Sequence, residues 1–218
     1  MKIIKACFII EDEINGEEIL KKLEKAGRTC YKSEEKMGEK SSHAFVEKII
    51  KSGHETILEH EKITVRVICD RGVTHEIVRH RIASYSQEST RYCNYSADKF
   101  GREITIVEPC FWITKGAWHN ISDEDVPKKV VWREAMEFAE KSYLKLIELG
   151  ATPQEARSVL PNSLKTEIVM TMNLREWRHF FRLRCSPKAH PQMREIAIPL
   201  LNEFQKLIPV IFDGIKVE

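Results

Sequence analysis

The sequence predicts an α+β fold built as one domain over residues 1–218. Three observations carry that expectation. Hydrophobic residues make up 42% and charged residues 31% of the chain, an ordinary globular balance. At about 100–200 residues per domain, a length of 218 residues suits one large domain or two small ones, and one is favoured. Segments with the two-residue period of strands and segments with the three-to-four-residue period of helices follow one another along the chain.

Taken in order, residues 2–10 (KIIKACFII) read as a strand closed by the acidic turn Glu11-Asp12-Glu13. Leu20, Leu23 and Ala26 give a helix that Gly27 stops, and Phe45, Ile49 and Ile50 give a second that Gly53 stops. Ile63, Val65, Val67 and Cys69 alternate with Thr64 and Arg66 over 62–69, the pattern of a half-buried strand. Val73, Ile77 and Val78 fit a short helix ending near Arg81, and residues 84–98, crowded with hydroxyls, amides and tyrosines, read as a loop. A short strand is expected over 104–107. A long helix then begins near Asp123-Glu124-Asp125, with Val131, Ala135, Phe138, Ser142, Leu146 and Leu149 facing inward and Gly150 ending it. Thr152-Pro153-Gln154-Glu155 is a capping box that opens a short helix closed by Pro161. Residues 164–172 read as a strand, and 174–184 and 192–207 as helices.

Several function classes are disfavoured. With 35 Lys and Arg against 33 Asp and Glu, the net charge of +2 argues against a non-specific nucleic-acid binder. No stretch approaches the roughly 18 apolar residues of a membrane helix, and the first residues do not form a signal peptide, so a cytoplasmic protein without a membrane partner is expected. The six cysteines contain no Cys-x-x-Cys pair and are expected to be free thiols. The nine glycines are never closer than 11 residues, which excludes G-x-G-x-x-G and Walker A loops.

Two histidine-acid runs, His54 to His60 and His75 to His80, carry their histidines at i+6 and i+5 rather than the i+4 that aims two imidazoles at one ion, so no metal is expected. Arg79-His80-Arg81, seven residues, then Ser89-Thr90-Arg91 is the chemistry of anion recognition: guanidinium forks, hydroxyls and a polar loop. The same Arg and His could instead cap a helix C-terminus without a ligand. Arg175, Arg178, Arg182 and Arg184 accompany Trp177, Phe180 and Phe181; arginine with aromatics can stack on bases, but this spacing also describes a core face with solvated arginines. On residues alone, a nucleotide- or RNA-binding protein and a metal phosphohydrolase built on His54, Glu55, His75 and Glu76 remain open alternatives.

Arg79-His80-Arg81, seven residues and Ser89 form the R-H-R-x7-S motif of the flavin-dependent thymidylate synthases, and the resemblance extends well beyond it. Arg28 to Tyr31, His54-Glu55-Thr56 with Glu59-His60, Arg157 to Pro161, Asn173 with Arg175, Leu183-Arg184, and Gln192 with Glu195-Ile196 resemble family segments in order and spacing. What the resemblance implies is a homotetramer with helices around a mixed or antiparallel sheet and sites shared between subunits. It would use FAD to methylate dUMP to dTMP, with 5,10-methylenetetrahydrofolate as carbon donor and NADPH as reductant. By position, Thr56, Arg79, His80, Arg81, Gln87, Asn173, Leu174, Arg175 and His179 resemble flavin contacts. Glu76, Arg79, Gln87, Glu88, Ser89, Thr90, Arg91, Arg157 and Arg184 resemble dUMP contacts. Arg184 resembles the residue that favours ionisation of uracil N3, and His54 one implicated in later steps. Glu76 stands where glutamine is frequent, Cys30 where serine is, and His179 where asparagine is.

Overall fold

The structure is a computed structural model that describes residues 1–112 and 125–217. Its strands and α-helices, in chain order, are β1 (Lys2–Ile4), β2 (Cys7–Ile10), α1 (Gly16–Arg28), α2 (Ser41–Lys51), β3 (Lys62–Asp70), α3 (Arg71–Ile77), β4 (Ala83–Gln87), β5 (Thr105–Val107), α4 (Val126–Glu148), α5 (Pro153–Ala156), β6 (Lys165–Asn173), α6 (Leu174–Arg184), α7 (Pro191–Leu207) and α8 (Pro209–Phe212). One sheet has the order β2-β3-β6-β4, and β1 pairs in parallel with β5 through Lys2–Thr105, Ile3–Ile106 and Ile4–Val107. The α+β expectation holds.

The chain divides into two compact units. Residues 1–7, 67–78 and 86–168 form the first, whose core gathers Tyr95, Ile104, Ile106, Met136, Tyr143, Ala156 and Leu164. Residues 8–66, 79–85 and 169–218 form the second. Here Trp177, Phe180, Phe181, Phe204 and Phe212 make a continuous aromatic cluster with ring centroids 5.0 to 5.8 Å apart. The Trp177 indole N–H donates to the Ile63 carbonyl at 3.0 Å, so this large ring is buried without an orphaned donor. Those rings are therefore core and unavailable for stacking on bases.

Most element assignments hold, and the departures have physical reasons. The strand expected over 2–10 is two: β1 pairs with β5, and after Ile4 the chain changes partner and enters the other sheet as β2. A short apolar run does not reveal how many partners it has. Gly27 does not stop α1. A Cβ there would sit 2.6 Å from the Phe45 ring and 2.7 Å from Ile57 Cδ1, so this glycine permits close packing of α1 rather than a turn. Gly53 and Gly150 do terminate helices, with φ of +71° and +93°.

Helix α3 begins at the Asp70 cap, whose carboxylate accepts from Val73 N at 2.9 Å, and ends at Ile77 rather than Arg81. The presumed loop starts later than expected, because Ser84 to Gln87 belong to β4. That strand lies at an edge of its sheet and is polar, so no apolar period announced it. Helix α4 buries Met136 and Tyr143, with Trp132, Leu144 and Ile147 partly covered, while Val131, Phe138 and Leu149 of the expected inward face are exposed. The helix carries two apolar stripes, and periodicity cannot say which meets the core. Asp123 and Glu124, expected at its start, lie outside the described residues.

Candidate active site

In the second unit, α6 organises the candidates. Asn173 caps the helix, its side-chain oxygen accepting from Glu176 N at 2.8 Å. Leu174 is buried in the core, and its N–H donates to the Glu61 carbonyl at 3.0 Å, so its side chain packs rather than binds. Arg175 projects outward and pairs with Glu59 at 2.5 Å. One turn on, Arg178 is buried, which corrects the expectation that all four arginines lie on a solvated face. Its guanidinium holds Glu55 at 3.1 Å and the Ile211 carbonyl, and Arg182 holds the same Glu55 oxygen at 3.2 Å. Burial alone would raise the Glu55 pKa, but the two guanidinium groups outweigh it and hold the carboxyl below its usual range. This anchors the turn Glu55–His60, on which Thr56 is exposed, with His54 exposed just before it.

The R-H-R turn follows α3 instead of capping it. Arg79 and Arg81 are exposed, and among the described residues neither side chain has a hydrogen-bond or ion-pair partner. His80 is buried. Its Nδ1 lies 3.0 Å from Glu176 Oε1, and its Nε2 lies 3.0 Å from Nε of Arg184 at the end of α6. Burial lowers the His80 pKa; Glu176 opposes that shift and Arg184 reinforces it, leaving the imidazole below its ordinary range. Tyr85 O–H donates to the His80 carbonyl at 2.6 Å, and burial pushes its phenol up to about 12.

A cavity of about 430 Å³ in this unit is lined by Asn173, Arg175, Glu176, His179 and Arg182, with Glu55, Glu59 and Ile82. A larger cleft of about 830 Å³, beside the start of α1 and the end of α7, contains none of the candidates. There Glu13 and Glu17 accompany His43 and Lys206, and in the smaller cavity Glu55, Glu59 and Glu176 accompany Arg175, Arg182 and His179, so charge does not separate the two; the smaller one is the one that holds candidate residues. His80, Glu176 and His179 bring potential ligand atoms within 4.8 Å of one another. The Arg184 guanidinium against His80 opposes a cation there, and Glu55 is already committed to arginines.

In the first unit, the polar segment after β4 is tied down residue by residue. Gln87 donates to Thr74 Oγ1 at 3.1 Å and Thr166 Oγ1 at 3.3 Å. Glu88 accepts from Tyr95 O–H and from Lys165 Nζ, both at 2.9 Å, and Lys165 also meets Glu167 at 2.5 Å. Burial works against the Lys165 charge, but hydrogen bonds to Glu167 and Glu88 keep its pKa raised. Burial, then the Glu88 charge, pushes the Tyr95 phenol up, so it remains a donor. The Ser89 carbonyl accepts from Tyr92 N and Cys93 N at 3.1 and 2.9 Å, and its hydroxyl accepts from Arg91 N at 3.3 Å. Arg157, just past α5, reaches Thr90 Oγ1 at 3.4 Å, and Arg91 Nε donates to Gln154 at 2.9 Å. Ser89, Thr90, Arg91 and Arg157 thus gather two guanidinium groups with two hydroxyls. Glu76 is half-buried on α3.

Reading the sequence missed Glu176 and Lys165, and it named Arg178 only among arginines of a solvated face and Gln154 only within a capping box. The signal at Glu176 was misleading: three residues after Asn173 it has the spacing of a capping partner, yet its carboxylate turns to His80. Lys165 opens a strand and resembles any surface lysine until its two carboxylate neighbours are seen.

Residues 14–210 match the family model described as thymidylate synthase complementing protein. The chain is 35% identical over 194 residues to the flavin-dependent thymidylate synthase of Geobacter sulfurreducens, covering 86% of this chain and 78% of that protein. It is 38% identical over 181 residues to the enzyme of the same name from Pyrococcus abyssi, covering 81% and 69%. Its fold is similar to the crystal structure of PolB, a UMP/dUMP methylase from Streptomyces cacaoi bound with 5-Br UMP. The TM-score is 0.75 with 21% identity, over 98% of this chain and 95% of that one.

Proposed function

The chain belongs to the thymidylate synthase complementing protein family, and from that membership we propose that it is a flavin-dependent thymidylate synthase acting on dUMP. It methylates dUMP reductively to dTMP with FAD, 5,10-methylenetetrahydrofolate as carbon donor and NADPH as reductant, and it releases tetrahydrofolate. The names of its relatives support a flavin and a thymidylate product. The chain works as one domain in a cytoplasmic homotetramer with sites shared between subunits.

The observation that carries this reading is the R-H-R turn, where Arg79 and Arg81 stand exposed and, among the described residues, unpartnered beyond α3 while His80 is held inside. Two unpaired guanidinium groups suit an anionic cofactor that no glycine-rich loop could cradle, so the residues present fit FAD. Thr56, Asn173, Arg175 and His179 join Arg79, His80 and Arg81 in holding it, with Gln87 and the Leu174 backbone. When bound, the flavin supplies hydride and mediates carbon transfer.

Ser89, Thr90, Arg91 and Arg157 bind the dUMP phosphate by charge-assisted hydrogen bonds. Glu76, Gln87, Glu88 and Arg79 contribute to the nucleotide site; the Glu88 carboxylate does so chiefly by holding the loop through Tyr95 and Lys165. Arg184 is the catalytic cation that stabilises the N3 anion of uracil, acting where a fixed positive charge needs no solvent reorganisation. His54 serves the later proton transfers from an exposed position just before the Glu55–His60 turn.

The test is the visible spectrum of the purified protein with FAD and then dUMP, followed by tritium release from 5-tritiated dUMP. The expected result is a flavin band that shifts on adding dUMP. Arg184→Ala retains that band and loses turnover, while Arg91→Ala mainly raises KM for dUMP. Absence of a band after reconstitution overturns the flavin mechanism, and normal turnover by Arg184→Ala at saturating dUMP overturns the role of Arg184.

A further inference from the structure

Arg184 is a long side chain at the last position of α6, and a charge that must meet a developing anion has to be held still. The guanidinium carries only donors, so the His80 Nε2 it meets at 3.0 Å must be an acceptor. A neutral imidazole with an acceptor at Nε2 carries its proton on Nδ1. That nitrogen faces Glu176 Oε1 at 3.0 Å, and Glu176 and His80 are both buried, 8% and 4% exposed. The three groups form a directional chain, carboxylate to imidazole to guanidinium. We propose that Glu176 is a positioning residue for Arg184: its carboxylate fixes the Nδ1–H tautomer of His80 and thereby keeps Nε2 open to receive the Arg184 N–H. The proposal rests on the assignment of Arg184 to the uracil anion and adds a residue that the motif does not contain.

The chain of bonds has a built-in polarity. Protonated His80 would donate from both nitrogens and could no longer accept from Arg184. Around the ring stand Glu176, His179 and Arg184 from α6, while the Tyr85 hydroxyl of β4 donates to the His80 backbone carbonyl. Of these, Glu176 alone brings a negative charge to the imidazole. Replacing it by glutamine keeps an acceptor for Nδ1–H and removes the charge, so the ring resists protonation further. Replacing it by leucine removes the acceptor and frees the tautomer.

The experiment uses the flavin-loaded protein. With ¹⁵N-labelled histidine, assigned against a His80→Asn variant, His80 is expected to show a protonated Nδ1 and a bare Nε2 at pH 8, and to lose that preference in Glu176→Leu. Glu176→Leu should keep its flavin band and lower kcat by about ten- to hundredfold, the cost of a lost buried hydrogen bond, with KM for dUMP within about twofold. Glu176→Gln should restore kcat at pH 8 and move the acid limb of the kcat profile to lower pH. A wild-type His80 protonated at Nε2 overturns the proposal whatever the activity. So does a Glu176→Leu variant with unchanged kcat, or one whose loss is traced to released flavin. Wild-type holoenzyme that forms no dTMP overturns the parent assignment of Arg184, and the tautomer measurement then decides the geometry separately.

Discussion

Arg178→Met removes a buried guanidinium while keeping a side chain of similar reach for packing. The side chain of Arg178 is 5% exposed and that of Glu55 17%, and Arg178 also satisfies the Ile211 carbonyl. Removing one partner of a buried pair costs about 3–5 kcal/mol, because the other charge is left uncompensated. Two features of the site adjust that figure. Arg182 stays beside Glu55, but its side chain is 50% exposed and the pair is screened, which brings the cost towards the low end. The Ile211 carbonyl loses a charged donor and restores part of it. A loss of about 3 kcal/mol is therefore expected, read as a lower urea midpoint at unchanged m-value. Glu55→Gln alone should cost less, and the double variant less than the sum, since each change removes the reason for the other's penalty. The same turn carries Thr56, with His54 before it, so FAD affinity should fall in parallel. A loss under about 1 kcal/mol, or full additivity in the cycle, would show that Arg178 acts as packing and that the ion pair contributes little.

Lys165→Met frees Glu88 from its cation and loosens the segment that carries Ser89 and Arg91; KM for dUMP should rise about fivefold with kcat nearly unchanged, and an equal fall in kcat would place Lys165 in the chemical step. Gly27→Ala sets overpacking against Phe45 and Ile57, about 1–3 kcal/mol, against a helix-propensity gain of about 1 kcal/mol. The net expectation is a small loss in urea midpoint, and a stabilised variant would mean that α1 has room to spare. Acid lability should appear in two stages. Because burial lowers the folded-state pKa of His80, the unfolded chain takes up that proton first, so stability present above about pH 6.5 declines as pH drops below it. The depressed Glu55 carboxyl contributes stability present above about pH 4.3 and lost as pH falls through its lower folded value. Urea midpoints between pH 8 and 3 check both stages, and a flat midpoint from 7 to 5 contradicts the first.

Elements whose signals are local were legible in the sequence. Strand β3 alternates because one face is buried, α6 starts and ends where its cap and periodicity say, and the Thr152 capping box forms with Glu155 accepting from Thr152 N at 2.7 Å. Gly53 and Gly150 were readable because positive φ is a demand on one residue. What stayed hidden was decided by partners distant in sequence. Glu176 acts on a histidine 96 positions away, and Arg178 on a glutamate 123 positions away. No spacing rule reaches that far. The candidate residues themselves were legible through a motif, while the bonds that orient them were not. On α4, two stripes of equal periodicity compete, and only tertiary packing chose Met136 and Tyr143 over Val131 and Phe138.

The segment after β4 bears on the thermodynamics of ligand capture. Its backbone is closed into a turn by the Ser89 carbonyl, Tyr95 N donates to the Tyr143 hydroxyl at 3.3 Å, and Glu88 is clamped between Tyr95 and Lys165. Fixing a residue's backbone costs about 1–2 kcal/mol in entropy, and here that cost is incurred when the chain folds rather than when a nucleotide arrives. On the proposed function, nucleotide capture by Ser89, Thr90, Arg91 and Arg157 would then lack the large unfavourable entropy and negative heat-capacity change of a loop that orders around its ligand. Calorimetric titration with dUMP should register a small heat-capacity change, and association should be set by diffusion and charge instead of by waiting for the loop to form.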